Sequence, residues 1–588
     1  MNRISNAFGV KLFDKTPRSV HNLTNRRAVT THPGQARPFY FRTVYPADKF
    51  KISPDIFVHT FPTVLPFMGA FDCRIDYFFV PFSLWYGWLD NDTQLTFDQF
   101  LNYPRLRWDI PRFKDNAMAP IPGVAKDHYG LGSLWDHAGH SVRFQGYHGS
   151  GVNPGNPDPA GENPLSVGGP MFNCDSMLAY LAVYRHYYAN PQEPYFVESF
   201  TSAAPGDGTL VPAYKHAKHS LKALDYLFPL LRQMSTSGEA LIGQIAGDGL
   251  NLGLDSDLDK YFAVPTPGHV PSNGMAAYVG VFLRDLNSRA NLMDCGIFST
   301  TYEFDYFRGR INSSRTKEQV VTSTDGTITV NNIRFANKIQ KWADKFNITS
   351  GRPSDWLRAL WPARVKSGHK PEYLGGVSST IQFQSIFQNS ETAQTPLGWE
   401  VNVGRGSFKG RNIYFRSDTY GILVGVLNIR PKVYYENIAW KEDLYQKFGD
   451  MYNPEMANLG YEELPGYELS TDPLVDPNSK LRKTYDLTSI GSHLAWIEAM
   501  TDVDRAYGQF HSNTLLDGFL PLYKNRPPED GDAEKVEHPF LNYSTYINPA
   551  DWNKLFADNS AACHNFHAVI YQNIKATRAI PYRTMPSL

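Results

Sequence analysis

Residues 73–88 read CRIDYFFVPFSLWYGW, and seven of these sixteen side chains are aromatic: Tyr77, Phe78, Phe79, Phe82, Trp85, Tyr86 and Trp88. The first half alternates. Phe71, Cys73, Ile75, Tyr77 and Phe79 fall on one face, and Asp72, Arg74 and Asp76 on the other, which is the period of a half-buried β-strand. From Phe78 onward both faces are apolar. A strand apolar on both faces is covered twice, by its own core and by a second layer or a second subunit.

The chain around this strand has 588 residues, of which 42% are hydrophobic, 14% aromatic and 20% charged. Length alone predicts roughly two to four domains. That composition buries a large core without help from metals or disulfides. The net charge of −1 carries no global mark of a polyanion binder, so any nucleic-acid contact is expected to be local. Four cysteines, Cys73, Cys174, Cys295 and Cys563, form no C-x-x-C pair, which argues against a disulfide framework and a zinc knuckle and fits a reducing cytoplasm. The first twenty residues carry no apolar signal region, and no run of about 18 apolar residues occurs. The expectation is neither a secreted precursor nor a membrane-inserted protein.

Residues 1–36 are polar and basic without a sustained period, and read as an arm. Strand patterns follow at 37–46, 49–61 and in the opening stretch, separated by proline-bearing turns. Residues 115–170 read as a loop region. Residues 176–191 have a helical pattern, with Leu178, Leu181, Ala182 and Tyr188 sharing a face before Asn190-Pro191 stops it. A polar block punctuated by Gly and Pro occupies about 197–290. It holds a short helix in which Leu221, Leu224, Leu227 and Leu231 align. The segment 331–347 is an amphipathic helix with Phe335, Ile339, Trp342 and Phe346 on one side. Strand text returns at 378–387, 411–435 and 564–584. Strands at both ends with helices and long loops between them describe one β-sandwich, 37–588, with large inter-strand insertions.

The search for chemistry is nearly empty. VGRGSFKGRN (403–412) is glycine-rich but lacks the spacing and the following helix of a phosphate loop, so a hairpin turn is the better reading. DSDLDK (255–260) has alternate carboxylates, yet Lys260 and Thr266 stand where a calcium loop needs glycine and glutamate. His128, His137, His140 and His148 cluster in the loop region without a carboxylate or cysteine at metal-ligand spacing. His216 and His219 are flanked by lysines and read as a cationic surface. No cofactor and no catalytic residue is assigned.

Five ordered blocks resemble the major capsid protein of microviruses, the small icosahedral single-stranded-DNA bacteriophages, in their gokushovirus-like branch. YPADKFKISPDIFVHTFPTVLPFMGAFDCRIDYFFVPFSLWYGW (45–88) is similar to that family's opening, with Tyr77 in place of a phenylalanine. AYLAVYRHYYANPQ (179–192) and IRFANKIQKWADKF (333–346) resemble its helices. KPEYLGGVSSTI (370–381) resembles its R-P-E-Y-L-G-G turn, and NIKATRAIPYRTMPSL (573–588) its tail, with Ser587 replacing a glycine. The segments 137–170 and 197–290 match nothing in the family pattern.

The resemblance implies a mainly β protein, a viral jelly-roll β-sandwich of two antiparallel sheets with long insertions. It implies a structural protein and no enzyme: sixty copies in a T=1 icosahedral shell around circular single-stranded DNA. It also implies residence in the virion after assembly in the bacterial host cytoplasm. Implied partners are the chain itself, the DNA, a small basic DNA-binding protein, an internal scaffolding protein, a pilot protein and a bacterial surface receptor. On this view Phe82, Trp85 and Trp88 pack against insertions or a neighbouring subunit. Arg18, Arg26, Arg27, Lys575, Arg578 and Arg583 are the expected DNA-facing residues. The block carrying Leu221, Leu224, Leu227 and Leu231 is the expected surface protrusion for host attachment. The competing readings are a carbohydrate-binding or carbohydrate-active β-sandwich, because tryptophan- and tyrosine-rich loops also suit sugar stacking, and a metalloenzyme using the histidine cluster.

Overall fold

The computed structural model describes residues 17–97 except 32 and 35, and short pieces between 100 and 299 that include 175–188. It also describes 330–348, 352–361, 370–387 and, with breaks, 400–522, 555–558 and 564–582. Ten strands build the main sheet: β1 (Ser19–Asn22), β2 (Asn25–Thr31), β3 (Ala36–Val44), β4 (Lys49–Pro62), β5 (Phe71–Pro81), β6 (Glu372–Phe387), β7 (Glu400–Lys409), β8 (Ile413–Arg416), β9 (Gly421–Pro431) and β10 (Phe566–Arg578). All their pairings are antiparallel.

The sheet curls into two layers. In one, which we call sheet I, β10 lies between β4 on one side and β1 and β2 on the other, and β4 also pairs with β7 and β8. In the other, sheet II, the order is β6-β5-β9-β3. β6 belongs to both layers: Glu372–Ile381 pairs with β5, and Gln382–Phe387 pairs with β7. The fold is a jelly-roll β-sandwich.

The alternation read from the sequence sets the two faces. Phe50, Ile52, Ile56 and Val58 of β4 and Phe566, Ile570, Ile574 and Ala576 of β10 point inward, and Phe71, Cys73, Ile75 and Tyr77 of β5 meet them. Phe71 stands 5.0 Å from Phe566, and Phe79 4.8 Å from Phe415, ring to ring across the sandwich. A polar thread crosses the same core: the Tyr77 hydroxyl donates to Gln572 Oε1 at 3.1 Å, and Gln572 Nε2 donates to Asn25 Oδ1 at 3.1 Å. A buried hydroxyl left unpaired costs about 1–3 kcal/mol, so this thread fixes how the layers face each other. Cys73 is a free, buried core thiol whose pKa burial pushes up to about 12.

Three expectations change. From Ser19 onward, the expected basic arm is strand: β1 and β2 both pair with β10, and Val29 and Thr31 turn inward. The free edge of β10 satisfies backbone groups that a polar composition suggested were solvated. The turn expected at 370–376 is instead the start of β6, where Gly376 serves close packing. A Cβ on Gly376 would collide with the Ile75 carbonyl oxygen and the Asp76 carboxylate. The expected hairpin at 403–412 is absent. β7 and β8 both run antiparallel to β4, so the chain jogs at 410–412 and continues in the same direction. The Gly410 N–H donates to the Pro54 oxygen at 2.7 Å within that jog.

Among the described residues the helices of two turns or more are α1 (Asp175–Val183), α2 (Val330–Ile348) and α3 (Pro353–Leu360), which cover the sandwich or stand beside it. α1, continued by a π-helical turn at Tyr184–Tyr188, packs on β5 and β9. Met177, Leu178, Leu181, Ala182 and Val183 are all buried, so no single face of it is apolar in the way the sequence suggested. Ile339, Trp342 and Phe346 of α2 do share a face, and close a second small core with Trp88, Phe97, Phe100 and Trp356. The side chain of Phe335 lies outside the described residues. Among the described residues no helix is long and apolar enough to cross a membrane.

Candidate assembly and nucleic-acid surfaces

The second apolar face of β5 is covered by the chain's own insertion. Phe78 lies 4.9 Å from Tyr187 and 5.5 Å from Tyr373, ring to ring. Beside it, the buried Asp76 carboxylate accepts hydrogen bonds from Tyr188 at 3.0 Å and Tyr373 at 3.1 Å, and pairs with Arg74. Burial, reinforced by the Asp76 charge, pushes the Tyr188 phenol well above its ordinary range, so it stays a donor.

After Pro81 the chain makes a tight turn at Phe82–Leu84 and one helical turn at Gly87–Asp90. Trp85 is 0% exposed, and its Nε1–H donates to Asp175 Oδ1 at 3.0 Å. The Tyr86 hydroxyl donates to the same oxygen at 2.9 Å. Phe82 is buried against both rings. Trp85 thus joins its turn to the Asp175 segment, Phe82 packs on the rings of its own turn, and both are buried within the described chain. Trp88 is half-buried, 5.8 Å from Phe100 in the small core.

The five described bases among the six expected to face DNA separate. Arg18 donates to the carbonyl oxygens of Ala47 and, at 3.0 Å, Trp361. Arg27 sits over Tyr40 at the corner where β2 meets β3. Arg26, over the Tyr571 ring, and Lys575 are on the exposed face of sheet I. Arg583 lies outside the described residues, as do Leu221, Leu224, Leu227 and Leu231. Arg578 is a correction, being 5% exposed. It donates to the Thr43 oxygen at 2.9 Å, lies over Tyr45 and Phe50, and holds its Nε 3.2 Å from Asp48 Oδ2. That approach is an ion pair without good hydrogen-bond geometry. Burial lowers the Arg578 pKa and raises that of Asp48, so desolvation outweighs the attraction between them. Such a charge is internal structure and cannot meet a phosphate.

Besides Arg26 and Lys575, the outward residues of sheet I carry bases that sequence reasoning did not single out. On β4 these are Lys49 and Lys51, followed by Asp55, Phe57, His59 and Phe61. Arg405, Lys409, Tyr414 and Arg416 continue the face on β7 and β8. On β10 it holds His567, Val569, Tyr571 and Lys575. The signal was present in the alternation of KFKISPDIFVHTF, whose odd positions include Lys49, Lys51, Phe57, His59 and Phe61. His59 and His567 stack with centroids 6.5 Å apart, and Phe61 meets His567 edge-on at 4.6 Å. Burial and the neighbouring His59 lower the pKa of His567. The glycines of β7 do not cradle phosphate: the Gly404 N–H donates to Thr60 Oγ1 at 2.8 Å, and a Cβ there would meet Thr60 and Phe383. Of the four clustered histidines only His137 is described, and among the described residues no group of three could hold a metal.

A second surface is apolar and acidic. Between 441 and 511, Phe448 is 94% exposed, Tyr461 72% and Tyr507 70%, and Met451, Met456, Leu494 and Met500 are exposed with them. The segments 441–468 and 489–511 contain ten acidic and three basic residues. Exposed apolar side chains this dense on one segment mark a protein contact.

A jelly roll with α1 packed over one sheet, a charged face on the other sheet and an exposed apolar surface is the build of a shell-forming structural protein. Residues 284–588, just over half of the chain, match the family described as capsid protein (F protein), and the chain belongs to that family. It is a structural capsid protein of the microvirus type, and its place is the virion. Capsid protein VP1 of Chlamydia phage 1 is 20% identical over 276 residues, covering 45% of this chain and 43% of that protein. The aligned stretch thus spans less than half the length of that relative. The resemblance blocks at 333–346, 370–381 and 573–588 fall inside the family match, and those at 45–88 and 179–192 lie before it.

Proposed function

We propose that sixty copies of this chain close a T=1 shell around circular single-stranded DNA, and that the block at about 197–290 projects from the shell and contributes to host attachment. Membership in the capsid family carries this reading. The apolar, acidic surface at 441–511 supports it, because a shell subunit must present such area to copies of itself. A near-neutral net charge lets many copies pack without strong repulsion. It also leaves much of the DNA charge to a separate small basic protein, with scaffolding and pilot proteins as further partners by the same resemblance. On this reading the chain is one jelly roll that includes β1 and β2 and carries inserted regions at 115–170 and 197–290.

Purified particles test it. Sixty copies of a 66.5 kDa chain give a protein mass of about 4,000 kDa, and the nucleic acid released should be digested by a single-strand-specific nuclease. Particles of another mass, or a double-stranded content, overturn it. Replacing residues 203–273 by a short Gly/Ser linker should leave the sandwich folded, because loop-closure cost grows slowly with length. Such particles should assemble and lose adsorption to host cells; adsorption at the parental rate removes the attachment role.

A further inference from the structure

We propose that the outward face of sheet I is a contact surface for single-stranded nucleic acid, an assignment that rests on the reading that the shell encloses such a strand. The argument begins with register. Lys575 is directly opposite Lys51, and Lys49 is directly opposite Arg416. Directly opposed side chains on one face have Cβ atoms about 4.5–5.5 Å apart, and like charges there are destabilising. Among the described residues none of these four cations forms an ion pair. Among the described strand residues of the face the carboxylate is Asp55, which sits further along β4, opposite Tyr571 and Lys409.

A polyanion laid over this tier removes the repulsion and releases counterions, whereas among the described residues no carboxylate pairs with any of the four, and Lys51 has only the Tyr414 ring beside it. Rings stand beside the charges in the arrangement a single strand uses. Tyr414 is exposed next to Lys51, and Phe57 is exposed opposite Val569 one tier beyond Asp55. Nucleic-acid single strands are held by cations tracking the backbone with aromatic side chains stacking on the bases, without sequence preference. Two of the cations lie on β4 and one each on β8 and β10, so the sheet itself fixes their spacing.

The test uses the purified full chain and a labelled oligothymidylate, with affinity measured across a salt series. Lys51→Gln together with Lys575→Gln should reduce the slope of log affinity against log salt by about 1.4, at about 0.7 for each lost phosphate contact. Phe57→Ser should weaken binding at every salt concentration and leave the slope unchanged. Lys447→Gln, on the acidic surface, should alter neither. The double lysine variant should melt no lower than the parent, since it relieves a repulsion. A slope unchanged in the double variant overturns the proposal. So does unchanged binding with a loss of particle yield, which would give the face to the acidic surface of a neighbouring copy. Particles that contain no DNA overturn the enclosure reading instead, and the slope measured on the free chain still decides the assignment of the face.

Discussion

Asp175 Oδ1 accepts from both Trp85 and Tyr86, and this one oxygen ties α1 to the end of β5. Truncating a fully buried tryptophan costs about 3–5 kcal/mol, so Trp85→Ala should lower the urea stability of the unassembled subunit by that amount. Asp175→Asn keeps an acceptor and should cost far less than Asp175→Ala, which strands two buried donors at about 1–3 kcal/mol each. Parental subunit stability in Trp85→Ala would mean that its burial is completed only in the shell. The sequence made the density of aromatic residues plain but not what covered them, because Asp175 lies about ninety positions away. Arg578 is different: it shares parity with Phe566, Ala568, Ile570, Ile574 and Ala576, so its inward direction was legible once β10 was taken as a strand. Its charge drew attention away from that pattern.

At the scale of elements, alternation carried most of what could be read. β4 and β10 keep a period of two over their length and β5 over its first half, and each appears where that pattern places it. Glycine punctuation was ambiguous, because a hairpin, a jog along one partner and a close approach all leave the same mark. Gly376 shows the third case. Its missing side chain lets β6 lie against Ile75 and Asp76, and a backbone oxygen blocks any Cβ. Gly376→Ala should therefore cost about 1–3 kcal/mol, the usual range for overpacking, seen as a lower thermal midpoint of the subunit. An unchanged midpoint would show that β5 and β6 can separate there without loss. Pairing partners were not legible at all: alternation says that a strand has two faces, not which distant segment completes its ladder. For the same reason β1 and β2 passed for an arm.

For the whole molecule, the distribution of exposed apolar side chains sets the expected assembly phenotype. Phe448 and Tyr461 project from the acidic region and touch little of their own chain. Replacing both by serine should leave subunit unfolding within about 0.5 kcal/mol of the parent, as for surface changes generally. The yield of closed particles, measured by sedimentation, should fall sharply. Normal yield would remove this surface from the subunit contacts. A different consequence follows from β10, which supplies the ladder partner of β1, β2 and β4 together. Thr60 pairs with Phe566, 506 positions further along the chain. Translation at about 5–20 residues per second makes that a wait of roughly 25–100 seconds. Until β10 arrives, β1, β2 and one edge of β4 have no ladder partner, and open strand edges of that kind are prone to aggregation. The late arrival of one strand makes the newborn chain a client for chaperones, and couples the supply of shell subunits to the folding capacity of the cell that makes them.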